Sequence, residues 1–217
     1  MQEIKIPGSI KYIIFTFRKY QMPRGRPRKI DPETVLDAIM MTFWKHGYLD
    51  TTMSHLTQAT QMAKPGLYSA FGDKEALYQV AIKHYQQEVA DPMLADVSDS
   101  KDDVKQVFKR YLDRVASSVL NPLGPKGCFI SNGLVQCPVM SDELKALSQG
   151  ANEFRRNVFL TRLKKAADAG EIKSHCDLEA LSQFLVAQVL AITVLARSGS
   201  DKATLDQLIQ VAINNVF

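Results

Sequence analysis

Thr51–Lys74, TTMSHLTQATQMAKPGLYSAFGDK, is the stretch whose reading decides the fold. Thr52 is a natural cap for a short helix over Met53–Thr60, with Leu56 and Ala59 turned inward. A turn at Gln61 and Met62 leads to a second short helix, roughly Lys64 to Phe71. Gly72 and Asp73 close that helix, and Asp73 caps the next one, with Glu75 in its first turn. The helix over Lys64–Phe71 is too short to make a core of its own. Lys64, Pro65, Gly66, Ser69 and Ala70 lie to one side, and Leu67, Tyr68 and Phe71 to the other. Such an element is held by its neighbours while its small-residue side presses into something, and the major groove of DNA admits one α-helix.

The flanking sequence extends the pattern. Pro32 suits an early helical position and Asp31 the cap before it. Val35, Leu36, Ile39, Met40, Phe43 and Trp44 recur at helical spacing, and Gly47 ends the run. Trp44 reads as core. After Asp73, a fourth helix runs through Leu77, Val80, Ala81, His84, Tyr85 and Val89.

Val35–Ile82 resembles the DNA-binding domain of TetR-family transcriptional regulators. The matching features are FWKHGY at the end of the first helix, the TTM cap, and GLYSAFGDKEALY across the third helix into the fourth. The resemblance implies that Lys64, Pro65, Gly66 and Ser69 face base edges. It implies that Thr52, Tyr68 and Lys74 hold backbone phosphates, so positioning and readout fall to different residues. For Tyr68 the alternative is packing beneath the helix, for Lys74 a solvated charge, and Thr52 is a cap in either case. The chain departs from the family pattern at Gln61, where glycine is usual, and at Ala63, Pro65 and Gly66. Gln61 is therefore expected in a left-handed conformation costing on the order of 1 kcal/mol. With Pro65 and Gly66 in the reading face, thymine methyls and DNA shape carry more of the specificity.

Net charge is +4, unevenly spread: +5 over residues 1–86 and −1 over the remainder. A basic first third suggests a polyanion partner for that third. Arg18–Lys29, RKYQMPRGRPRK, holds six cations and no acid. Arg24-Gly25-Arg26-Pro27 resembles the AT-hook. Arg24, Arg26, Arg28 and Lys29 are thus expected as a minor-groove arm, with a solvated basic tail as the alternative. Residues 1–23 read as an extension, poorly ordered or upstream of a true start at Met22. Its apolar Ile10–Phe17 leaves open a packed extra element or a weak membrane-surface anchor. No apolar run is expected to reach the length that spans a bilayer.

The organisation expected is all-α: a helix-turn-helix unit over 24–86 and a helical ligand-binding and dimerisation domain over 87–217. Asp91-Pro92 and the acidic stretch Asp96–Asp103 read as a hinge between them. Val104–Val119 is a long amphipathic helix, with Val104, Val107, Phe108, Tyr111, Leu112 and Val115 on its apolar stripe. Asn121–Gly127 is a loop. Gly127–Pro138, GCFISNGLVQCP, reads as a weak helix, interrupted by Gly133 and closed by Pro138. Asp142–Ala169 is a long helix with Leu144, Leu147, Ala151, Phe154, Val158 and Leu163 inward. Its Arg155, Arg156, Arg162, Lys164 and Lys165 read as a solvated face. Two apolar helices end the chain.

In the TetR family the helices of the second half surround an effector pocket, and GCF…N resembles one branch of the family. The resemblance assigns Phe108, Tyr111, Cys128, Asn132 and Phe154 to that pocket. It assigns Leu181, Leu185, Val189, Ile192, Leu208, Ile209 and Ile213 to a homodimer seam of four helices. It implies a repressor released from a pseudo-palindromic double-stranded operator by a small-molecule effector, in the cytoplasm, with no cofactor, no metal and no membrane partner.

Other classes remain in view. Cys128, Cys137 and Cys176 are too few for a disulfide framework and suggest a reducing compartment. Cys128 reads as a buried small hydrophobe or as a redox sensor. His175-Cys176 with Cys128 and Cys137 would suit a soft, copper-type metal, although no CxxC or HxxxH spacing is present. An enzyme using Cys128 as nucleophile lacks a visible activating partner among His46, His55, His84 and His175, and no glycine-rich phosphate loop is present.

Overall fold

The computed structural model describes residues 31–122, 124–136, 140–172 and 175–217. The basic arm (Arg24, Arg26, Arg28, Lys29), the 1–23 extension and Cys137 lie outside the described residues. What is described is helical, with no strand among those residues. Helix α1 spans Pro32–Asp50, α2 Met53–Thr60, α3 Lys64–Phe71 and α4 Lys74–Tyr85. A π-helical turn, Gln86–Ala90, joins α4 to α5, Asp91–Asp99. Then come α6 (Val104–Val119), α7 (Phe129–Gln136), α8 (Asp142–Asp168), α9 (Leu178–Arg197) and α10 (Lys202–Val216).

The capping expectations hold in detail at two helices. The Thr52 hydroxyl accepts from the His55 amide at 3.2 Å, and Asp73 accepts from Ala76 N–H at 2.9 Å. His55 fills the position usually taken by Glu or Gln in a capping box, its Nδ1 accepting from Thr52 N–H at 3.4 Å. Asp31 stands before α1, but its carboxylate takes the Thr34 hydroxyl and caps no backbone amide. Gln61 is left-handed, at φ 59°. The expected hinge at Asp91-Pro92 is absent, because helical backbone runs on through the π turn into α5. Pro92 has no amide to continue that ladder, and the wider π-helical turn lies directly before it.

Two apolar cores form, and they do not follow the expected boundary at residue 87. The first gathers Val35, Ile39, Phe43 and Trp44 of α1, Leu56 of α2, Leu67 of α3, and Leu77, Tyr78, Ile82 and Tyr85 around α4. It also takes Cys128, Phe129 and Ile130 from the GCF segment, and Leu144 and Ala151 from α8. The eight-residue helices α2 and α3 are too short to persist alone, and Leu56 and Leu67 tie them to this core. The second core packs α6, the distal half of α8, α9 and α10 around Phe108, Leu112, Phe159, Leu163, Leu185 and Ile213. Helix α8, at 27 residues about 40 Å long, runs through both.

The inward stripe of α8 differs from the expected one. Ser148, Arg155, Phe159, Arg162 and Ala166 are buried, whereas Phe154 is 50% exposed. Leu144, Leu147, Ala151, Val158 and Leu163 meet the cores as the apolar periodicity suggested, but Phe154 does not. Phe159 completes the stripe in its place, which puts two guanidiniums inside. Arg162 is stapled there: its Nη2 donates to the Asp102 carbonyl at 2.7 Å and lies 3.7 Å from Glu171. Glu171 in turn accepts the Val104 amide at 2.7 Å. Arg162→Ala is expected to cost about 2–3 kcal/mol in urea unfolding, with Lys a poor replacement for the planar donor fork.

Helix α9 also corrects the reading that nothing here is long and apolar enough to span a bilayer. Leu178–Arg197 meets that length and composition, with a mean hydropathy of 1.8 over its best window. Its inner face, Leu181, Leu185, Val189 and Ile192, is packed into the second core, as expected of a bundle helix.

Candidate nucleic-acid interface and the cavity behind it

Helix α3 buries one residue, Leu67, packs Phe71 against the same core, and leaves most of its remaining surface open. Lys64, Pro65, Ser69 and Ala70 are exposed and Gly66 is half-buried. A Cβ on Gly66 would meet only Met62 Cε, at 3.7 Å. This is a flat, small-residue face with one cation at its N-terminal end. Tyr68 is 43% exposed, so it is not tucked beneath the helix. The Lys64 ammonium stands 5.8 Å above the Tyr68 ring, a cation–π pair at the helix surface. Thr52 is exposed at the start of α2, with its hydroxyl and amide both engaged by His55. Lys74 has a structural task that spacing did not reveal. Its ammonium donates to the Leu49 carbonyl at 3.1 Å and lies 4.7 Å from the Tyr48 ring centre. It thereby ties α4 to the end of α1, and partial burial pulls its pKa below the usual lysine value.

Helix α7 is fastened to α1 at both ends. The indole N–H of Trp44 donates to the Gly127 carbonyl at 2.8 Å. The Tyr48 amide donates to Gln136 Oε1 at 3.0 Å. Gly47 bends α1 at this contact with φ +78°, and a Cβ there would sit 2.5 Å from the Gln136 amide nitrogen. Between the two bolts, Phe129 makes edge contacts with Tyr78 and Tyr85 at 5.4 and 5.6 Å and stacks with Trp44 at 6.5 Å. Gly133 lets α7 close on α4, since a Cβ would stand 2.8 Å from the Tyr78 hydroxyl.

Directly behind this contact lies a cavity of about 20 Å³. Tyr111 and Cys128, two of the residues the resemblance assigned to a pocket, line it together with Tyr85, Met93, Val115, Val189 and Arg155. The other three expected pocket residues do not. Phe108 is wholly buried in the second core, against Phe159 and Phe217. Asn132 turns its amide to the Lys126 carbonyl at 3.1 Å and shapes the turn at Gly127. Phe154 faces outward, one position from Arg155, which faces inward.

Arg155 is 3% exposed. Its Nη1 donates to Asn152 at 3.2 Å, its Nη2 lies 3.8 Å from Cys128 Sγ, and its Nε has no hydrogen-bond partner. The Tyr85 hydroxyl donates to Cys128 Sγ at 3.4 Å. Burial pushes the Cys128 thiol up, but Arg155, Tyr85 and Ser131 together bring it below the ordinary thiol value. Burial raises both phenols, Tyr85 strongly. A signal for Arg155 was present in the sequence: it lies four residues from both Ala151 and Phe159 on one helical stripe.

The expected dimer seam is also corrected. Leu181, Leu185, Val189, Ile192, Ile209 and Ile213 are buried within the chain itself, and Leu208 packs against the same core. The outward apolar stripe of α9 and α10 instead carries Phe184 at 39% exposure, Val194 at 50% and Val211 at 61%. Ala180 and Ala187 are exposed on the same side of α9. The metal reading finds no support in placement. Cys128 belongs to the first core and Cys176 packs on the second, and no cluster of three ligating side chains forms among the described residues.

Comparison with known proteins agrees with this architecture. Residues 35–81 match the family model described as bacterial regulatory proteins, tetR family. Residues 101–212 match the model for the tetracyclin repressor-like C-terminal domain. The chain belongs to the TetR family of bacterial transcriptional regulators, and α1–α4 carry its DNA-binding helix-turn-helix. Among curated relatives, the HTH-type transcriptional repressor ComR of Escherichia coli is 29% identical over 87% of this chain and 89% of its own. The uncharacterized HTH-type transcriptional regulator YezE of Bacillus subtilis is 24% identical, over 88% and 98%. Among solved structures, a cysteine mutant of the TetR-family regulator CifR, complexed with 26-base-pair double-strand operator DNA, superposes with a TM-score of 0.78 at 22% identity. That match covers 89% of this chain and 100% of the CifR chain. A TetR-family regulator from Cytophaga hutchinsonii gives 0.72, also at 22% identity, over 88% and 98%.

Proposed function

We propose that this chain is a homodimeric repressor that binds a pseudo-palindromic operator through α3 and is released by a small molecule entering the cavity behind α7. The supporting observation is the position of α7. One side of it completes the core beneath the recognition helix, and Cys128 at its start lines the cavity. A ligand that prefers a different seating of α7 therefore changes the seating of α1 and α4. Operator and effector then oppose each other through one coupling free energy, felt equally by both. Lys64, Pro65, Gly66 and Ser69 take the base edges in this reading, and Thr52 and Tyr68 the phosphates. Lys74 positions the end of α1 and reaches phosphate only by leaving the Leu49 carbonyl. The test is fluorescence anisotropy with DNA fragments from beside the gene, over a salt series. Sequence-selective binding that weakens steeply with salt is expected, and its absence refutes the reading.

The homodimer reading uses the outward stripe of α9 and α10, not the residues the sequence suggested. A two-fold contact through Phe184, Val194 and Val211 would present two α3 helices to successive turns of one duplex. Phe184→Asp should leave the helical content of the chain near wild type, because Phe184 projects from the core, while melting falls by the stabilisation the dimer supplied. Sedimentation should then show monomers, and operator affinity should fall at least about tenfold as avidity is lost. An unchanged dimer would place the seam elsewhere.

A second reading has its own observation. Arg155 and Tyr85 favour the thiolate of Cys128, so an oxidant or electrophile arriving in the cavity would meet an activated sulfur. The folded value lies below the unfolded one. The resulting stability is therefore fully present above the unfolded thiol value of about 8.5 and is lost as pH falls through the folded value. Iodoacetamide labelling of Cys128, followed by mass spectrometry, should show a pH midpoint below that value, and Arg155→Gln should raise it. A thiol inert over hours in the native protein removes this reading.

A further inference from the structure

We propose that the cavity walled by Tyr85, Tyr111, Cys128 and Arg155 receives a small monocarboxylate. Arg155 takes its two oxygens, and the aliphatic wall of Val115 and Val189 takes its tail. This rests on the effector-release reading above and names the chemistry of the effector.

The argument begins with charge. A buried guanidinium is stable only when something balances it and accepts its N–H groups. Its neighbours Arg156 and Arg162 both have carboxylate partners. Arg155 has none among the described residues, and the groups that act on it are Tyr111, Cys128 and Tyr85. Of five donors, one goes to the Asn152 amide oxygen, one makes a long contact with sulfur and one serves the Tyr111 hydroxyl, while Nε–H has no partner. The Cys128 sulfur at 3.8 Å can accept one of these donors, whereas a carboxylate accepts two in parallel, matching the fork. The remaining wall is mostly aliphatic and aromatic, with Ser118 and Gly127 the exceptions, which suits a short hydrocarbon tail.

Size then links binding to motion. About 20 Å³ is room for roughly one water molecule. A carboxylate with a tail must therefore spread the wall. Tyr85 and Ala90, both in the wall, bracket the π-helical turn Gln86–Ala90 that joins α4 to α5. Such turns hold an extra residue per helical turn and recur at functional sites. Displacing this one moves α4, and with it the support of α3.

Trp44 supplies the probe. It is the only tryptophan, and its ring lies 4.9 Å from that of Tyr85. Its fluorescence should be titrated with sodium acetate, butyrate and octanoate at constant ionic strength, and with butyramide and octanamide as uncharged controls. The expected result is a saturable change with butyrate or octanoate. The matching amide and the Arg155→Gln protein should each bind at least about tenfold more weakly. Arg155→Met, which removes the buried charge, should melt no lower than wild type and should lose the thermal stabilisation that the carboxylate gives. Cys128→Ser should still bind. Three results overturn the proposal: equal response to acid and amide, binding unchanged in Arg155→Gln, or binding that appears only in Cys128→Ser. The last would make the thiolate the counter-ion. Operator anisotropy on the same samples separates the two readings. Carboxylate binding without operator release overturns effector release and keeps the anion site. Release by neutral compounds alone does the reverse.

Discussion

Gly66→Glu is expected to abolish operator binding while leaving the protein folded. Gly66 sits in the first turn of α3, where a Cβ meets only Met62 Cε at 3.7 Å, so the chain has room for a side chain. Glutamate is also a better helix former than glycine by several tenths of a kcal/mol, and an acid is favoured near a helix N-terminus. Melting should therefore stay level or rise slightly. The same carboxylate would stand on the open face of α3 that carries Lys64, Pro65 and Ser69. In a groove lined by phosphates, like charge and added bulk cost about 3 kcal/mol or more, a loss of roughly 100-fold in affinity. Anisotropy at fixed salt measures it. A Gly66→Glu protein that binds operator as wild type does would remove α3 from the interface. Gly66→Ala should lose less, because it adds bulk without charge.

Phe129→Ala should destabilise the protein by about 3–5 kcal/mol, the range for emptying a buried aromatic site. Phe129 is 1% exposed and touches Trp44, Tyr78 and Tyr85, which belong to α1 and α4. The informative readout is where the loss appears. Hydrogen exchange should speed most in α1 and α4, although the substitution lies 44 residues beyond the end of α4 and 79 beyond the end of α1. Loss confined to α9 and α10 would show that the GCF segment is not part of the core under the recognition helix. Operator affinity should fall along with stability, since Leu67 and Phe71 hold α3 to this same core.

These two residues also mark how far the sequence could be read. Gly66 was legible because everything that defines it is local: a cap at Thr52, a left-handed Gln61, a stop at Gly72 and a cap at Asp73 are set within about twenty residues. The amphipathic stripe Val104–Val119 was legible for the same reason, as side chains three and four apart share a face. Phe129 was visible as apolar, but not as the centre of an aromatic cluster supplied by α1 and α4. Nothing within its own helix indicates which distant element it meets.

The last two helices show the limit in another form. The resemblance assigned Leu185, Val189, Ile192 and Ile213 to a seam between two copies, but the chain's own core claimed them, and Phe184, Val194 and Val211 stand exposed. An apolar helix offers two greasy faces, and periodicity cannot rank them when both are populated.

Sequence alone therefore determined the all-α class, the cap-turn-cap frame of the helix-turn-helix and the face that α3 presents, because local hydrogen bonds and helical period govern all three. Tertiary structure alone decided that α7 completes the core beneath α3, that a cavity forms where Arg155 turns inward, and that Lys74 braces α1. In each case a contact between residues far apart in the chain outweighed the local preference, and such contacts exist only once the helices have packed.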